Sequence, residues 1–558
     1  MALAAGFGVA PTKDASMSKD VSISREIMST IVGMNSRGNL LVLPLVLAVF
    51  VVAAVLQLLY VLPNHDSVWL LVAAERMLEG GTYERDFFEV NPPLAILLHA
   101  PAFLIQKITG QTAYSSFIVL MLIYAAVSVA FLRKIIADGF SPTSDFRLWL
   151  LPIAAMLLLI FPGYDFGQRE HLFCIFVFPY LTLHATQSSR GTLPPGFMIL
   201  VSVWAGLGLF LKPVFLLLPI LIALDRAIRR RSVSSLFSVD MITFGVMGLI
   251  YIAVVLFRFP DYFIVTRYAL EFYGAYKTNI AFATLLPVLY ASSGVLLAFI
   301  ATRLTESLEE RRMFALLMLA AGVASVSAIV QQKGWSYHNL PIAIFVMTLV
   351  LMTIVKASRF VRRNATSRGF GLLARVAPLL AIAIFLQPFS LGTENLHRQD
   401  LVKSKLYPTL ELVAANKRVY FFSTRVVVAT PWVEMVQARW ASRFSCLWLL
   451  PGYMAAGNDG ALSAARWAEL GREIRRYVNE DFERYRPEVV LVDRREFQYG
   501  LSPSFEFLKF FLAEDRFVKI WESYNFYKTV DDFDIYLLLG STGVDGSAIK
   551  VPVGIPPT

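Results

Sequence analysis

Residues Leu41 to Leu62 read LVLPLVLAVFVVAAVLQLLYVL, an apolar run without a single charge. A run of this length can satisfy its own backbone groups inside hydrocarbon only as a helix. The pattern recurs, as in Ala315 to Val330 and Ile342 to Val355, and twelve hydrophobic segments are legible between residues 39 and 390. With 56% hydrophobic and 16% charged residues and a mean hydropathy of +0.59, the chain is too apolar for a water-soluble globule. The reading is an all-α membrane bundle followed by a smaller water-soluble domain.

The formal charge of +10 suggests nucleic acid in a soluble protein. Here the basic residues sit in short loops, at Arg226 to Arg231, at Arg303, Arg311 and Arg312, and from Lys356 to Arg375, which is an orientation signal and implies no nucleic-acid partner. Placing these loops and the polar tail 1–38 in the cytoplasm requires one early segment to make no net crossing. Residues 92 to 109 suit that role, since they open with Pro92 and Pro93 and hold Pro101. The expectation is eleven full crossings and one re-entrant or surface segment. Residues 39–390 then form the bundle, and 391–558 form an extracytoplasmic α/β domain, periplasmic in a bacterium. In that domain Arg418 to Ser423 and Pro487 to Asp493 read as buried strands, Ala461 to Tyr485 as an amphipathic helix, and Trp432, Trp440 and Trp448 as core. Cys174 and Cys446 offer neither a disulfide framework nor metal-ligand spacing.

The loops on the other face carry the chemistry. His65-Asp66-Ser67 is followed by YERDFFEVNPPL at 83–94, and FPGYDFGQREH occupies 161–171. A third loop holds Arg258, Asp261, Arg267 and Glu271, and QQKGWSYHNLP occupies 331–341. Ionisable groups facing lipid cost about 2.5 to 3.5 kcal/mol each at the bilayer centre, so these should converge on a wet cavity. An acid just after the first helix, an acidic-aromatic stretch ending in Pro-Pro-Leu, a second acidic motif and a soluble outer domain together resemble the GT-C glycosyltransferases. The chain is similar to their lipid-sugar-dependent branch, which includes aminoarabinose and protein mannosyl transferases. The resemblance implies an inner-membrane enzyme taking a sugar from a polyprenyl-phosphate donor. The acceptor is then a cell-envelope glycan, lipid or protein, and the anomeric centre is usually inverted. It places Asp66 at the catalytic base, with Glu89 and Asp165 lining the same cavity.

The chemistry accounts for these residue types independently. A carboxylate within reach of an attacking hydroxyl takes its proton, and a lipid-phosphate leaving group needs cations. Lys333, Arg169, Arg258 and Arg267 are candidates for that role, with Lys333 favoured because Trp335 and Tyr337 follow it to stack on sugar or isoprenoid. Glu170 and His338 are further substrate contacts. Glu89, Glu170, His171 and His338 are also the donors available to a divalent metal ion, although no two show ligand spacing on one helix. Plainer readings stand beside these: Asp66 and Glu89 as solvated loop acids, Asp165 as a helix cap, Glu170 as a dipole partner and Lys212 as a snorkelling side chain. No P-loop and no strand-led Gly-x-Gly-x-x-Gly is present, so no nucleotide cofactor is expected. A secondary transporter or flippase, or a non-catalytic envelope-assembly component, are the competing readings. The absence of an internal repeat and the clustering of acids on one face weigh against transport.

Overall fold

The computed structural model describes residues 39–187, 193–305, 307–364, 398–458, 463–496, 498 and 500–541. The expected segment 371–390 lies outside these residues. Among the described residues six helices are long and apolar enough to cross a membrane: Val42–Tyr60, Ala113–Gly139, Val239–Arg258, Ile280–Arg303, Leu308–Gln331 and Ser336–Phe360. The chain is a membrane-embedded helical bundle with a small sheet at its C-terminal end.

The first helix, α1 (Asn39–Val55), leads through one π turn to α2 (His65–Leu78). The stretch expected to make no net crossing forms two short helices, α3 (Pro93–His99) and α4 (Pro101–Thr109). Each starts on a proline, which lacks an N–H and sits without cost in a first helical turn. At 7 and 9 residues neither is long enough to span by itself. Then follow α5 (Ala113–Gly139), α6 (Asp145–Leu159), α7 (Arg169–Thr186), α8 (Pro195–Leu209), α9 (Leu217–Arg230) and α10 (Val239–Arg258). The short α11 (Tyr262–Phe272) precedes α12 (Ile280–Arg303), α13 (Leu308–Gln331) and α14 (Ser336–Asn364).

Every residue of α7 from Glu170 to Thr186 is buried. It is the central helix, packed by α5, α8, α13 and α14, which is why it is apolar on all sides. Close approach is achieved with glycine: a Cβ on Gly208 of α8 would lie 2.9 Å from Phe176 Cβ. By contrast α10 and α12 expose most of their length, as lipid-facing helices do. The basic loops at the end of the bundle where α6 begins are knitted by Lys356 to Glu310 at 2.5 Å and Arg359 to Asp145 at 2.7 Å.

The C-terminal portion carries a five-stranded sheet of order β2-β1-β3-β5-β4, in which β1 is Arg418–Phe422, β2 Arg439–Trp440, β3 Val489–Asp493, β4 Tyr524–Val530 and β5 Phe533–Leu538. β1, β2 and β3 are parallel, and β5 runs antiparallel to both of its neighbours, β3 and β4. Both sequence-read strands are present, β3 is buried at every position, and the amphipathic helix spans Ala464–Tyr485. Phe422, Phe482, Phe511 and Phe517 form the core beneath the sheet, and Trp432, Trp440 and Trp448 are all buried.

This portion is locked onto the loop after α2. Arg443, fully buried, donates to Asp481 at 2.7 Å and to Glu84 O at 3.3 Å, while its own carbonyl accepts from Phe88 N at 2.6 Å. Arg76 of α2 donates to Ser442 O at 2.7 Å. Removing one partner of a buried pair strands the other without water. Arg443→Ala should therefore destabilise the docked tail by about 3–5 kcal/mol, read as a lower apparent Tm and faster proteolysis after residue 398. Adding Asp481→Asn should restore part of the loss; a wild-type Tm for Arg443→Ala would contradict this reading.

Candidate active site

The loop after α1 and the loop after α6 are joined through one side chain. Asn64, wholly buried, is the N-cap of α2, and its Oδ1 accepts from Asp66 N at 3.0 Å and Ser67 N at 3.2 Å. The same oxygen accepts from Gln168 Nε2 at 3.0 Å, and Asn64 Nδ2 donates to Tyr164 O at 2.9 Å. An asparagine at this position caps a helix for local reasons. Here it also sets the Asp66 motif against the Asp165 motif. His65 reinforces the joint, its Nδ1 2.7 Å from the Tyr164 hydroxyl.

The result is a cavity of about 540 Å³ at the junction of bundle and tail. Asp66, Glu89, Asp165, Arg169, Trp335 and Tyr337 all line it, joined by Tyr164, Asn91, Tyr273 and Tyr276. Asp66 keeps 26% of its side chain accessible, whereas Asp165 and Glu89 are buried to 2% and 4%. Asp165 does not cap α7, whose N-cap Gln168 makes no side-chain capping bond. Ser336 Oγ donates to Asp165 Oδ2 at 3.5 Å.

Glu89 is held by Trp69 Nε1 on one oxygen and by Asn91 N, at 2.6 Å, on the other. Arg169 donates to Asn91 Oδ1, so Glu89, Asn91 and Arg169 form one chain of contacts on the wall. Burial pushes the Glu89 carboxyl up to about 7, against the lowering effect of the Asn91 N–H, Arg169 and Trp69.

Several sequence candidates fall elsewhere. Glu170 is turned away from the cavity into the bundle, where it pairs with Lys212, and His338 Nε2 lies 3.8 Å from the same oxygen. An ion inside the bundle is tolerated only when paired in this way. Lys212 also donates to Gln331 Oε1 at 2.8 Å, so it does not snorkel. Lys333 sits behind the aromatic wall, its Nζ 2.8 Å from the Tyr273 ring centroid and 4.7 Å from that of Trp335. Burial, with Arg169 and Lys212 nearby, lowers its amine to about 6. Arg258 and Arg267 are exposed, lying over Phe259 and Tyr268, and are not brought to the cavity. That leaves Arg169 as the cation among the sequence candidates that lines it.

The donors offered to a divalent ion do not gather. His171 is spent on structure, with Nε2 2.6 Å from Leu158 O and Nδ1 accepting from Gly167 N at 2.8 Å. Glu170 is engaged by Lys212. Among the described residues no three His, Cys, Asp or Glu side chains are placed to hold a metal. The four donors named from sequence therefore do not assemble a three-ligand site for the ion.

The tail supplies what sequence reading missed: Thr424, Arg425, Val426 and Val427 after β1, and Ser445, Cys446 and Trp448 from the loop after β2. Thr430 Oγ1, on the helix Thr430–Met435 that follows, donates to His65 O at 3.2 Å. The β1 edge is thereby seated beside the residue that precedes Asp66. Its signal in sequence is weak, since loop residues beyond a strand carry no periodicity.

A carboxyl held above its ordinary value binds its proton more tightly in the folded chain. Stability from Glu89 is therefore fully present below the ordinary value of 4.5 and is lost as pH rises to about 7. The apparent Tm of Glu89→Gln should lack the fall between those limits that the wild type shows; parallel Tm profiles would refute the assignment.

No family model matches the chain, and no curated protein matches it. Among solved structures the chain is similar to the crystal structure of ArnT from Cupriavidus metallidurans bound to undecaprenyl phosphate. The TM-score is 0.49 and the identity 11%, covering 90% of this chain and 98% of that one. It is also similar to the apo state of ArnT from the same organism, with a TM-score of 0.48, 11% identity, and coverage of 89% and 97% respectively.

Proposed function

We propose that this chain is an integral-membrane glycosyltransferase that moves a sugar from a polyprenyl-phosphate donor to an acceptor on a cell-envelope glycan, lipid or protein. The observation that carries the reading is the meeting of an accessible carboxylate, Asp66, and a cation, Arg169, in one cavity. Its wall is built of Trp69, Tyr164, Tyr273, Trp335 and Tyr337. Acid, cation and aromatic faces are what sugar transfer from a lipid phosphate requires.

In the proposed step the acceptor oxygen attacks the anomeric carbon while Asp66 takes its proton. The bond from that carbon to the phosphate oxygen breaks, and its electron pair leaves on the phosphate, where Arg169 balances the charge. A single displacement of this kind inverts the anomeric centre. Asp66 suits the base role because it remains open to the cavity. Glu89 and Asn91 act on Arg169, which they hold against the wall. The aromatic rings present flat apolar faces to the sugar and to the first isoprene units. The cavity lies on the face opposite the basic loops, which supports an extracytoplasmic reaction.

The test is a reconstituted transfer assay with purified full-length protein against a panel of radiolabelled polyprenyl-phosphate sugars. Asp66→Asn should lower transfer about 10²- to 10⁴-fold while undecaprenyl phosphate still binds. An active Asp66→Asn enzyme removes the base assignment. Arg169→Met should weaken undecaprenyl phosphate binding about ten- to a hundredfold, as loss of a charged hydrogen bond does. Unchanged affinity would move the phosphate site elsewhere.

A further inference from the structure

The central helix α7 connects two cavities. Its first turn, at Arg169, lines the cavity described above, and its last residues, Leu183 and Thr186, line a second one of about 250 Å³. Eighteen residues rise about 27 Å at about 1.5 Å each. That is close to the hydrocarbon thickness of a bilayer, about 30 Å. The second cavity therefore opens at the opposite membrane face, among the basic loops.

Its polar lining is Asp138, Thr186, Gln187, Ser238, Arg226 and Arg230, and its apolar side includes Met198. Arg226 is buried and fixed: its guanidinium donates to Asp240 at 3.1 Å and to Ser238 Oγ. Asp240 in turn accepts from the Tyr180 hydroxyl at 2.9 Å and lies 3.4 Å from His184 Nε2. Asp138, the carboxylate at this site, is offset by Lys134 at 3.2 Å. Arg229 is paired with Asp225. Arg230 is exposed and makes no hydrogen bond or ion pair among the described residues. The cavity thus combines a fixed buried guanidinium, a free one at its mouth and an apolar flank between helix ends. Basic pockets of this kind between membrane helices take lipid phosphate head groups.

We infer that this second cavity is a binding site for the phosphate head group of an anionic membrane lipid, in the leaflet opposite the candidate active site. Arg230 meets the phosphate, Arg226 and Ser238 form the floor, and Met198 lies against the first methylenes of the chain. The inference does not depend on the transferase reading, because none of these residues lines the first cavity.

The test measures the Kd of phosphatidylglycerol, of undecaprenyl phosphate and of phosphatidylcholine for the purified full-length protein in a neutral detergent. Arg230→Gln should weaken anionic-lipid binding about fivefold, the worth of one arginine near a charged head group. Met198→Trp, which fills the cavity without altering charge, should weaken it as well. Arg231→Gln, a neighbouring exposed arginine that does not line the cavity, should leave it unchanged. Undecaprenyl phosphate has the first cavity open to it also, so its arm is read as the difference between wild type and Arg230→Gln. Loss for phosphatidylglycerol assigns the site to bulk lipid, and loss for undecaprenyl phosphate alone assigns it to the carrier; either result supports the site. Equal loss in Arg230→Gln and Arg231→Gln would reduce the effect to general surface charge and overturn it. So would equal sensitivity of phosphatidylcholine, or affinity unaffected by either cavity variant. Should Met198→Trp fail to fold, the contrast between the two arginine variants decides.

Discussion

The side chain of Asn64 is the constraint on which the candidate site rests. Its amide oxygen takes two N–H groups at the start of α2 and the Gln168 amide, and its NH₂ group reaches the Tyr164 carbonyl. Two loops about a hundred residues apart are thereby held at fixed distance, each carrying one of the acids. A buried amide bonded through both its oxygen and its nitrogen is expensive to disturb, because replacement leaves the N–H groups of Asp66 and Ser67 without this partner and without water. The Tyr114 hydroxyl, accepting from Asn64 N at 3.2 Å, adds the start of α5 to the same joint.

Around that joint the ionisable groups divide into two layers. Glu170 and Lys212 pair inside the bundle, with His338 Nε2 3.8 Å from the same Glu170 oxygen; Asp66 and Arg169 face the cavity. The division follows from the cost of burying charge. Groups within the bundle must be paired, and those pairs are thereby removed from any role with substrate. Lys333 is an intermediate case, since its amine lies among the rings of Tyr273, Tyr276 and Trp335, where burial favours the uncharged form. Those three rings also line the cavity.

The C-terminal portion is part of the cavity and not an appendage. In sheets of order 2-1-3 the loops at the carboxyl ends of parallel strands border a crevice, and here the loops after β1 and β2 both reach the cavity. Ser423 Oγ, donating to Asp493 at 2.9 Å, ties the carboxyl ends of β1 and β3. The Arg443 and Arg76 contacts hold the whole portion against the loop that carries Glu89. Tail and bundle therefore share one structural fate at this site.

The sequence by itself determined that the chain is a membrane bundle, because twenty apolar residues in lipid have no alternative to a helix. It likewise marked the proline-opened segment 92–109, the strands from 418 and 487, and the acids at 66, 89 and 165, since proline geometry, β-periodicity and the cost of charge at a membrane are local properties. Only the tertiary structure decided which charges meet. Glu170 and Arg169 are neighbours in sequence, yet one turns inward to Lys212 and the other faces the cavity, a difference of helix phase and packing. Arg258 and Arg267 looked equivalent to Arg169 as loop cations, but they remain on the exposed surface. Arg425 and Trp448 reach the site only through the docking of a domain more than 300 residues away in the chain from Asp66. No local pattern encodes such a contact, because it arises from the complementary burial of two surfaces and not from the preference of either segment.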